Sequence, residues 1–93
     1  MERLEFDWDD ANVKHLARLR VLPREAEHVV LHEAIDLGTE IVNGEERYAS
    51  LGATAKGRVL VVVTTWRNDR IRVVTAFEPN RKLVQLYYLG RGR

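Results

Sequence analysis

The stretch that most constrains the fold is Gly57–Phe77, GRVLVVVTTWRNDRIRVVTAF, because β-branched residues are concentrated there. Val59–Trp66 is a nearly continuous apolar run, and Ile71–Phe77 is a second run that is interrupted by Arg72. Two such runs separated by a short polar turn predict a hairpin of central strands. Arg72 must then find a partner, solvent or a ligand, since an unpaired charge inside such a strand is unfavourable.

Capping residues predict two helices before this hairpin. Leu4–Trp8 alternates like a short strand, and Asp9 or Asp10 then supplies the N-cap of a helix that reaches about Leu19. Pro23 suits the first turn of a second helix, from Arg24 to about Glu33. Both helices are too short to persist alone, so we expect them to pack on the sheet.

Turn residues predict the remaining strands and a third helix. Asn43-Gly44 is typical of a two-residue type I′ turn, and it would join Leu37–Val42 to Glu45–Gly52. Gly57 is predicted to be a left-handed bulge residue in the next loop, and Pro79 to end the last strand and open a helix to about Leu89. The predicted order is β-α-α-β-β-β-β-α in one domain spanning 1–93. This is an α+β fold whose antiparallel sheet packs on two N-terminal helices and carries a C-terminal helix.

The predicted turns also specify which residues share a face of the sheet. Glu40 would lie opposite Arg47, Arg47 opposite Thr65, and Thr65 opposite Arg72, which makes one polar row across four strands. The rest of that face is small and would form a shallow site partly covered by the third helix: Ala49, Leu51, Val61, Val63, Val74 and Ala76. The other face is bulky and is assigned to the two N-terminal helices: Leu37, Ile41, Tyr48, Leu60, Val62, Trp66, Ile71, Val73 and Phe77.

The polar row suggests a phosphate site. Arg47 and Arg72 would be two strands apart, roughly 10 Å between backbones, so both guanidinium groups can converge on one phosphate. Glu40 would hold Arg47 in place or act as a base. The alternative is an ordinary Glu40–Arg47 ion pair, worth about 0.2–1 kcal/mol, beside a solvated Arg72.

Charge is distributed unevenly along the 93 residues. Residues 1–46 contain twelve Asp or Glu and five Lys or Arg, a balance of −7, whereas residues 47–93 contain two and ten, a balance of +8. The basic half suits a polyanion or an acidic partner, unless the two halves simply neutralise each other within the fold. Because the chain has no cysteine, no apolar N-terminal segment and no membrane-length apolar run, we expect a cytoplasmic protein that does not enter membranes.

Short motifs along nearly the whole chain resemble the BrnT family of type II toxins. The matching stretches are FDWD at Phe6–Asp9, Ala11-Asn12, His15–Arg18, Pro23 with Glu25, GEERY at Gly44–Tyr48, GRVLVVV at Gly57–Val63 and RIRVVTA at Arg70–Ala76. The chain departs from the family at Leu19-Arg20-Val21, where His-Gly-Val is usual, and at Phe77, where an Arg is usual. Arg81-Lys82-Leu83 likewise replaces a sequence that usually includes an acidic residue.

The resemblance implies a RelE-like fold, metal-independent cleavage of messenger RNA through the 2′-hydroxyl, and neutralisation by a small BrnA-like antitoxin. It also implies that RNA is cut free or on the ribosome, and that operator DNA is bound only through the antitoxin. The matching polar residues are His15, Arg47, Tyr48 and Arg72. No cofactor is expected.

His15 is predicted to act as acid or base because an imidazole exchanges protons near neutral pH, with Glu40, Glu45 or Glu46 as alternative bases. A surface role for His15 is the other interpretation. Further basic and aromatic residues are predicted to contact RNA: Tyr48, Lys56, Arg67, Arg81, Lys82 and Tyr87. Tyr87 and Tyr88 would otherwise pack the last helix on the sheet. His28 and His32 are four residues apart but lack a definite third ligand, so no metal site is predicted.

Three functions are compatible with the sequence. The first is a ribonuclease toxin. The second is a catalytically weakened relative that acts as a binding partner of an antitoxin or of nucleic acid. The third is a small homo-oligomer assembled through the apolar rim of its sheet.

Overall fold

The computed structural model describes residues 4–91 and has the predicted α+β order from the first helix onwards. Leu4–Trp8, predicted to be a strand, forms only one parallel bridge, between Phe6 and Ile71. The helices and strands are α1 Asp10–Arg18, α2 Pro23–Leu31, β1 Ile35–Val42, β2 Glu45–Ala53, β3 Val59–Arg67, β4 Arg70–Phe77 and α3 Arg81–Arg91.

Local side-chain contacts define where the first two helices begin. Asp9 is the N-cap of α1, as predicted, and it forms a reciprocal capping box with Asn12. Pro23 opens α2, and the Glu25 side chain accepts a hydrogen bond from the Leu22 N–H, 2.9 Å away. Each contact satisfies a backbone N–H that has no partner within the helix.

The four strands form one antiparallel sheet in the order β1-β2-β3-β4. Asn43 and Gly44 have φ of 51° and 78°, and Asn68 and Asp69 have φ of 53° and 62°, as two-residue type I′ turns require. Gly57 has φ of 87°, as predicted for a bulge residue. Both hairpins therefore have tight turns that determine the register of the strands they join.

The observed register places the polar row as predicted. Glu40 is opposite Arg47, and Thr65 is opposite Arg72. The β2–β3 ladder begins with Tyr48 opposite Thr64, and the same register continued by one residue brings Arg47 opposite Thr65.

The sheet is covered by α1 and α2 on one face and by α3 on the other. The first core cluster lies under α1 and α2 and comprises Leu16, Val21, Ala26, Val29, Leu60, Val62, Val73 and Ala76. The second lies under α3 and comprises Leu51, Val59, Val61 and Tyr87, with Leu83, Val84 and Val63 packed against it. The assignment of the bulky face to the N-terminal helices is confirmed for Leu60, Val62 and Val73.

A bulge in β1 overturns the face predicted for Leu37. Asp36 pairs with Ser50 but Gly38 pairs with Ala49, which leaves Leu37 as an extra residue. Leu37 consequently packs against the second cluster, on the α3 side, and not under α1 and α2. One inserted residue reverses the alternation of side chains beyond it.

A second bulge, at Val74 in β4, has the same effect on the end of that strand. Ala76, predicted on the α3 side, is fully buried in the first cluster. Phe77, predicted under the N-terminal helices, lies opposite Val61 and is 40% exposed. The bulge therefore exchanges the faces of these two residues.

Two other members of the predicted bulky face are open to solvent. Ile41 is 70% exposed and Trp66 is 53% exposed, since α1 and α2 cover other residues of that face. Within residues 4–91 no helix is long and apolar enough to span a bilayer.

Candidate functional site

A shallow groove of about 240 Å³ lies where α1 meets the ends of three strands, and we call it the cationic groove. Its charged and titratable lining residues are His15 from α1, Glu45 and Arg47 from β2, Arg67 from β3 and Arg72 from β4. The tight turns at Asn43-Gly44 and Asn68-Asp69 place the β2 and β3 contributions at the same end of the sheet. Three arginines thus meet at one place, with one carboxylate among them.

Glu45 holds two of these arginines. Its Oε1 accepts a hydrogen bond from Arg47 Nε at 3.1 Å, and its Oε2 lies 3.9 Å from Arg67 Nη2. Arg47 is about one third exposed and Arg67 is about half exposed, so both can still reach a ligand in the groove. Glu40, the predicted partner of Arg47, is opposite it in the sheet, but the Arg47 Nε is bonded to Glu45 instead.

Glu40 lines a second cavity, of about 360 Å³, that adjoins the cationic groove. The two share Arg47 and Val74. The floor of the second cavity includes Ala49 and Val63, which are small or β-branched residues of the face beside α3. Two depressions that share Arg47 and Val74 therefore lie at this face, but no described residue of α3 lines either of them, so the predicted cover by the third helix is not observed.

Arg72 is held by acidic residues of the N-terminal segment. Its Nη2 donates to Asp9 Oδ1 at 3.2 Å, and its Nη1 lies 3.1 Å from Asp9 Oδ2 and 3.7 Å from Asp7 Oδ2. The side chain is only 12% exposed. Nη1 is fully buried and is not aligned to donate a hydrogen bond to any described side chain or backbone atom, despite its ion pair. Arg72 therefore lines the groove, but its guanidinium group already contacts the carboxylates of Asp9 and Asp7.

The Arg72 guanidinium also acts on its partner. Its hydrogen bond, followed by the Asn12 backbone N–H, lowers the pKa of the Asp9 carboxyl below its ordinary value. Asp9 is consequently an anion at neutral pH.

His15 reaches the groove from the helix. Its Nε2 lies 2.9 Å from Thr75 Oγ1, and its ring is half-buried. Asn12, one turn earlier, donates from Nδ2 to the Asp7 carbonyl at 3.1 Å and to the Val73 carbonyl at 3.5 Å. Helix α1 is thus fastened beside β4, and His15 lines the same groove as Arg47 and Arg72, although α1 was expected to cover only the opposite face of the sheet.

An aromatic depression adjoins the groove at the hairpin end. It is lined by Tyr48 and Trp66 together with Glu45, which also lines the cationic groove. Tyr48 was predicted to contact RNA, but Trp66 was predicted to pack under the helices. Trp66 follows a run of valines in an apolar strand, so the sequence does not indicate that its ring is exposed.

The other predicted RNA contacts lie elsewhere. Lys56 lines a separate cavity beside α2, together with Arg24 and His28. Arg81 and Lys82 are exposed in the first turn of α3. Tyr87 is only 7% exposed and belongs to the core under α3, so it packs that helix on the sheet and the RNA-stacking role predicted for it is corrected.

His28 in α2 and His32, the residue that follows the helix, are two histidines that could share a metal ion. His28 and His32 stack with ring centroids 4.0 Å apart, and His32 Nδ1 lies 2.9 Å from the His28 carbonyl oxygen. Over residues 4–91 no three His, Asp or Glu side chains gather closely enough to hold a metal ion.

An arginine-lined groove on a small antiparallel sheet, next to an imidazole, is the kind of surface that nucleic-acid-binding proteins present to phosphates. The family model described as the ribonuclease toxin BrnT of a type II toxin–antitoxin system matches residues 8–82, which include every charged residue of the groove. The chain belongs to this family. Membership implies a ribonuclease toxin with an antitoxin partner. No match was found among curated proteins.

Proposed function

We propose that this chain cleaves RNA without a metal ion, at the cationic groove, by attack of the ribose 2′-hydroxyl. The observation that carries the proposal is that Arg47, Arg67, Arg72, His15 and Glu45 line one groove, in which Glu45 pairs with Arg47 and Arg67. Guanidinium groups are fixed cations that bind phosphate through paired hydrogen bonds, and they stabilise the charge of a pentacoordinate phosphate.

The residues of the groove can supply each step of the reaction. A base takes the 2′-hydroxyl proton, the 2′-oxygen bonds to phosphorus, the bond to the 5′-oxygen breaks, and an acid protonates that oxygen. Glu45 is the base that the geometry favours over Glu40, because Glu45 lies among the cations that hold the phosphate. His15 is then the acid. The products carry a 2′,3′-cyclic phosphate and a 5′-hydroxyl.

Arg47 and Arg67 are the cations best placed to reach the substrate. Both are more exposed than Arg72, and each retains donors that Glu45 does not use. Tyr48 and Trp66 alternate with Arg47 and Thr65 and so belong to the opposite face of the sheet. The depression that they line nevertheless shares Glu45 with the groove, and an unstacked base of single-stranded RNA could rest there where the strand passes the hairpin end.

The proposed cellular setting follows from the family. The antitoxin is a small BrnA-like protein that neutralises the toxin, and operator DNA is bound through that partner. The substrate is messenger RNA, free or on the ribosome, in the cytoplasm.

The proposal is tested with the purified chain and a defined single-stranded RNA in EDTA. We expect cleavage that persists in EDTA, yields a 2′,3′-cyclic phosphate, and stops when the ribose at the cleavage site is 2′-deoxy. Cleavage of the 2′-deoxy substrate, or activity that disappears in EDTA and returns with a divalent cation, would contradict the mechanism.

One observation favours the second function, a catalytically weakened binding partner. Asp7 and Asp9 already surround the Arg72 guanidinium, which leaves it little capacity for a phosphate. Inducible expression in a bacterial host separates the two functions. Growth arrest that disappears with Arg47→Ala supports the ribonuclease, whereas harmless expression of a folded chain that still binds RNA or an antitoxin supports the weakened relative.

A further inference from the structure

The Asp9 carboxylate is shared between helix α1 and Arg72. Its Oδ1 accepts the Asn12 backbone N–H at 3.0 Å and also Arg72 Nη2 at 3.2 Å. Its Oδ2 lies 3.1 Å from Arg72 Nη1. An ordinary N-cap needs only the contact with the Asn12 N–H. The two contacts with Arg72 therefore have a role other than capping the helix.

The first consequence concerns the orientation of Arg72. Its guanidinium group is almost enclosed, and Nη1 already lacks an aligned hydrogen-bond acceptor among the described residues. If the Asp9 carboxylate were removed, Asp7, at 3.7 Å, would be the remaining described anion within ion-pair distance. A nearly buried cation without a close counter-charge moves towards solvent or another anion, which would take Arg72 out of its present place in the groove.

The second consequence concerns His15. Asp9 and Asn12 cap α1 reciprocally, and the Asn12 side chain is 5% exposed and fastens the helix to the carbonyls of Asp7 and Val73. His15 follows Asn12 by one turn on the same helix and contacts Thr75. The carboxylate that orients Arg72 is therefore part of the network that sets the position of His15.

We infer that Asp9 is a positioning residue of the cationic groove, which holds the Arg72 guanidinium and the His15 helix in one fixed arrangement. The inference rests on the proposed function, since it assigns a role in that same site. Asp9 contacts Arg72 and α1 and is not required to touch RNA. Loss of its charge should therefore change the rate of the chemical step more than the binding of substrate.

Two substitutions separate positioning from capping. Asn and Ser are both good N-cap residues, so Asp9→Asn and Asp9→Ser retain the helix cap and remove only the carboxylate contact with Arg72. Asp10→Asn is the matched control, because Asp10 is the next residue, is exposed, and lies in the first turn of the same helix.

The experiment measures single-turnover cleavage at saturating RNA, together with the Kd for the same RNA carrying a 2′-deoxy ribose at the cleavage site. We expect the cleavage rate per folded molecule to fall by about tenfold or more in both Asp9 variants, and the Kd to change by less than about threefold. Asp10→Asn should stay within about twofold of the wild type in both measurements. A merely structural role would lower the folded fraction without changing the rate per folded molecule.

The possible results keep the two claims apart. If the wild-type chain cleaves RNA and both Asp9 variants cleave it at the wild-type rate, this inference alone is overturned. Equal losses in the Asp9 variants and in Asp10→Asn would also overturn it. A wild-type chain that cleaves no RNA would refute the proposed function, and the inference with it.

Discussion

Replacing Arg20 by glycine should stabilise the protein, because Arg20 has a backbone conformation that glycine adopts more readily. Its φ is 60°, and it ends α1 with hydrogen bonds from Arg20 N–H to the Ala17 carbonyl and from Val21 N–H to the Leu16 carbonyl, each 3.0 Å long. This pair of bonds is the Schellman motif, in which the left-handed residue is usually glycine.

Two opposing effects set the size of the change. A side chain with a Cβ costs about 1–2 kcal/mol in the left-handed conformation. Glycine makes the unfolded chain more flexible, which costs about 0.4–1 kcal/mol. The first effect is the larger, so Arg20→Gly should raise the free energy of unfolding by about 0.5–1 kcal/mol. For a domain of this size that corresponds to a rise in Tm of about 2–8 °C.

Arg20→Ala is the matched control in thermal unfolding monitored by circular dichroism. Alanine removes the exposed Arg20 side chain but retains the Cβ, and both variants keep the Arg20 carbonyl that accepts a hydrogen bond from Arg58 Nη1 at 2.6 Å. We expect Arg20→Gly to unfold at a higher temperature than both the wild type and Arg20→Ala. A Tm for Arg20→Gly at or below that of Arg20→Ala would refute the reasoning.

Three further substitutions test the core, a surface network and the groove. Leu60→Ala should lower the free energy of urea unfolding by about 2–5 kcal/mol because Leu60 is fully buried in the first cluster; a loss under about 1 kcal/mol would contradict this packing. Arg58→Ala should lower the free energy of unfolding by about 1–2 kcal/mol, and by less in high salt, because Arg58 forms ion pairs with both Glu25 and Glu78. The hydrogen bond to Glu78 is also the main cause of the raised pKa of Arg58. An effect that does not depend on salt would argue against these ion pairs. The lowered pKa of Asp9 means that its carboxylate stabilises the fold above its ordinary pKa of 3.8 and that this contribution is lost as the pH falls through the folded value. The stability advantage of wild type over Asp9→Asn should therefore be present at pH 7 and shrink as the pH is lowered below 3.8, and an advantage that does not diminish in acid would contradict the Arg72 contact.

Turn residues made the register of the sheet predictable. Asn43-Gly44 and Asn68-Asp69 each specify a two-residue turn, and with Gly57 they place the row from Glu40 to Arg72. These signals are local, because a positive φ at two adjacent positions is tolerated by few residue types. The prediction that Arg47 and Arg72 lie on one face of the sheet follows from these turns.

The two bulges could not be predicted in the same way. Leu37 and Val74 have no unusual composition, and the extra residue in each strand becomes visible only through its partner strand. For that reason the predicted faces of Leu37, Ala76 and Phe77 were reversed.

The partners of Arg72 and Arg47 were also missed, for two different reasons. Asp9 is 63 residues from Arg72 in sequence. An N-cap role already accounts for an acidic residue at the start of α1, so the sequence does not indicate a second contact for Asp9. Direct cross-strand pairing predicts Glu40 as the partner of Arg47, and it gives no reason to pair Arg47 with Glu45. A long arginine side chain can instead bond along its own strand, to the residue two positions away on the same face.

In the proposed mechanism, Arg47 holds the scissile phosphate of RNA in the cationic groove. The most direct test compares single-turnover cleavage in EDTA by the wild type, Arg47→Ala and Arg24→Ala, where Arg24 is an exposed arginine that lines the separate cavity beside α2. We predict a fall of about 100-fold for Arg47→Ala and a change within about twofold for Arg24→Ala. Arg47→Ala that cleaves at the wild-type rate, or an equal loss in both variants, would contradict the account.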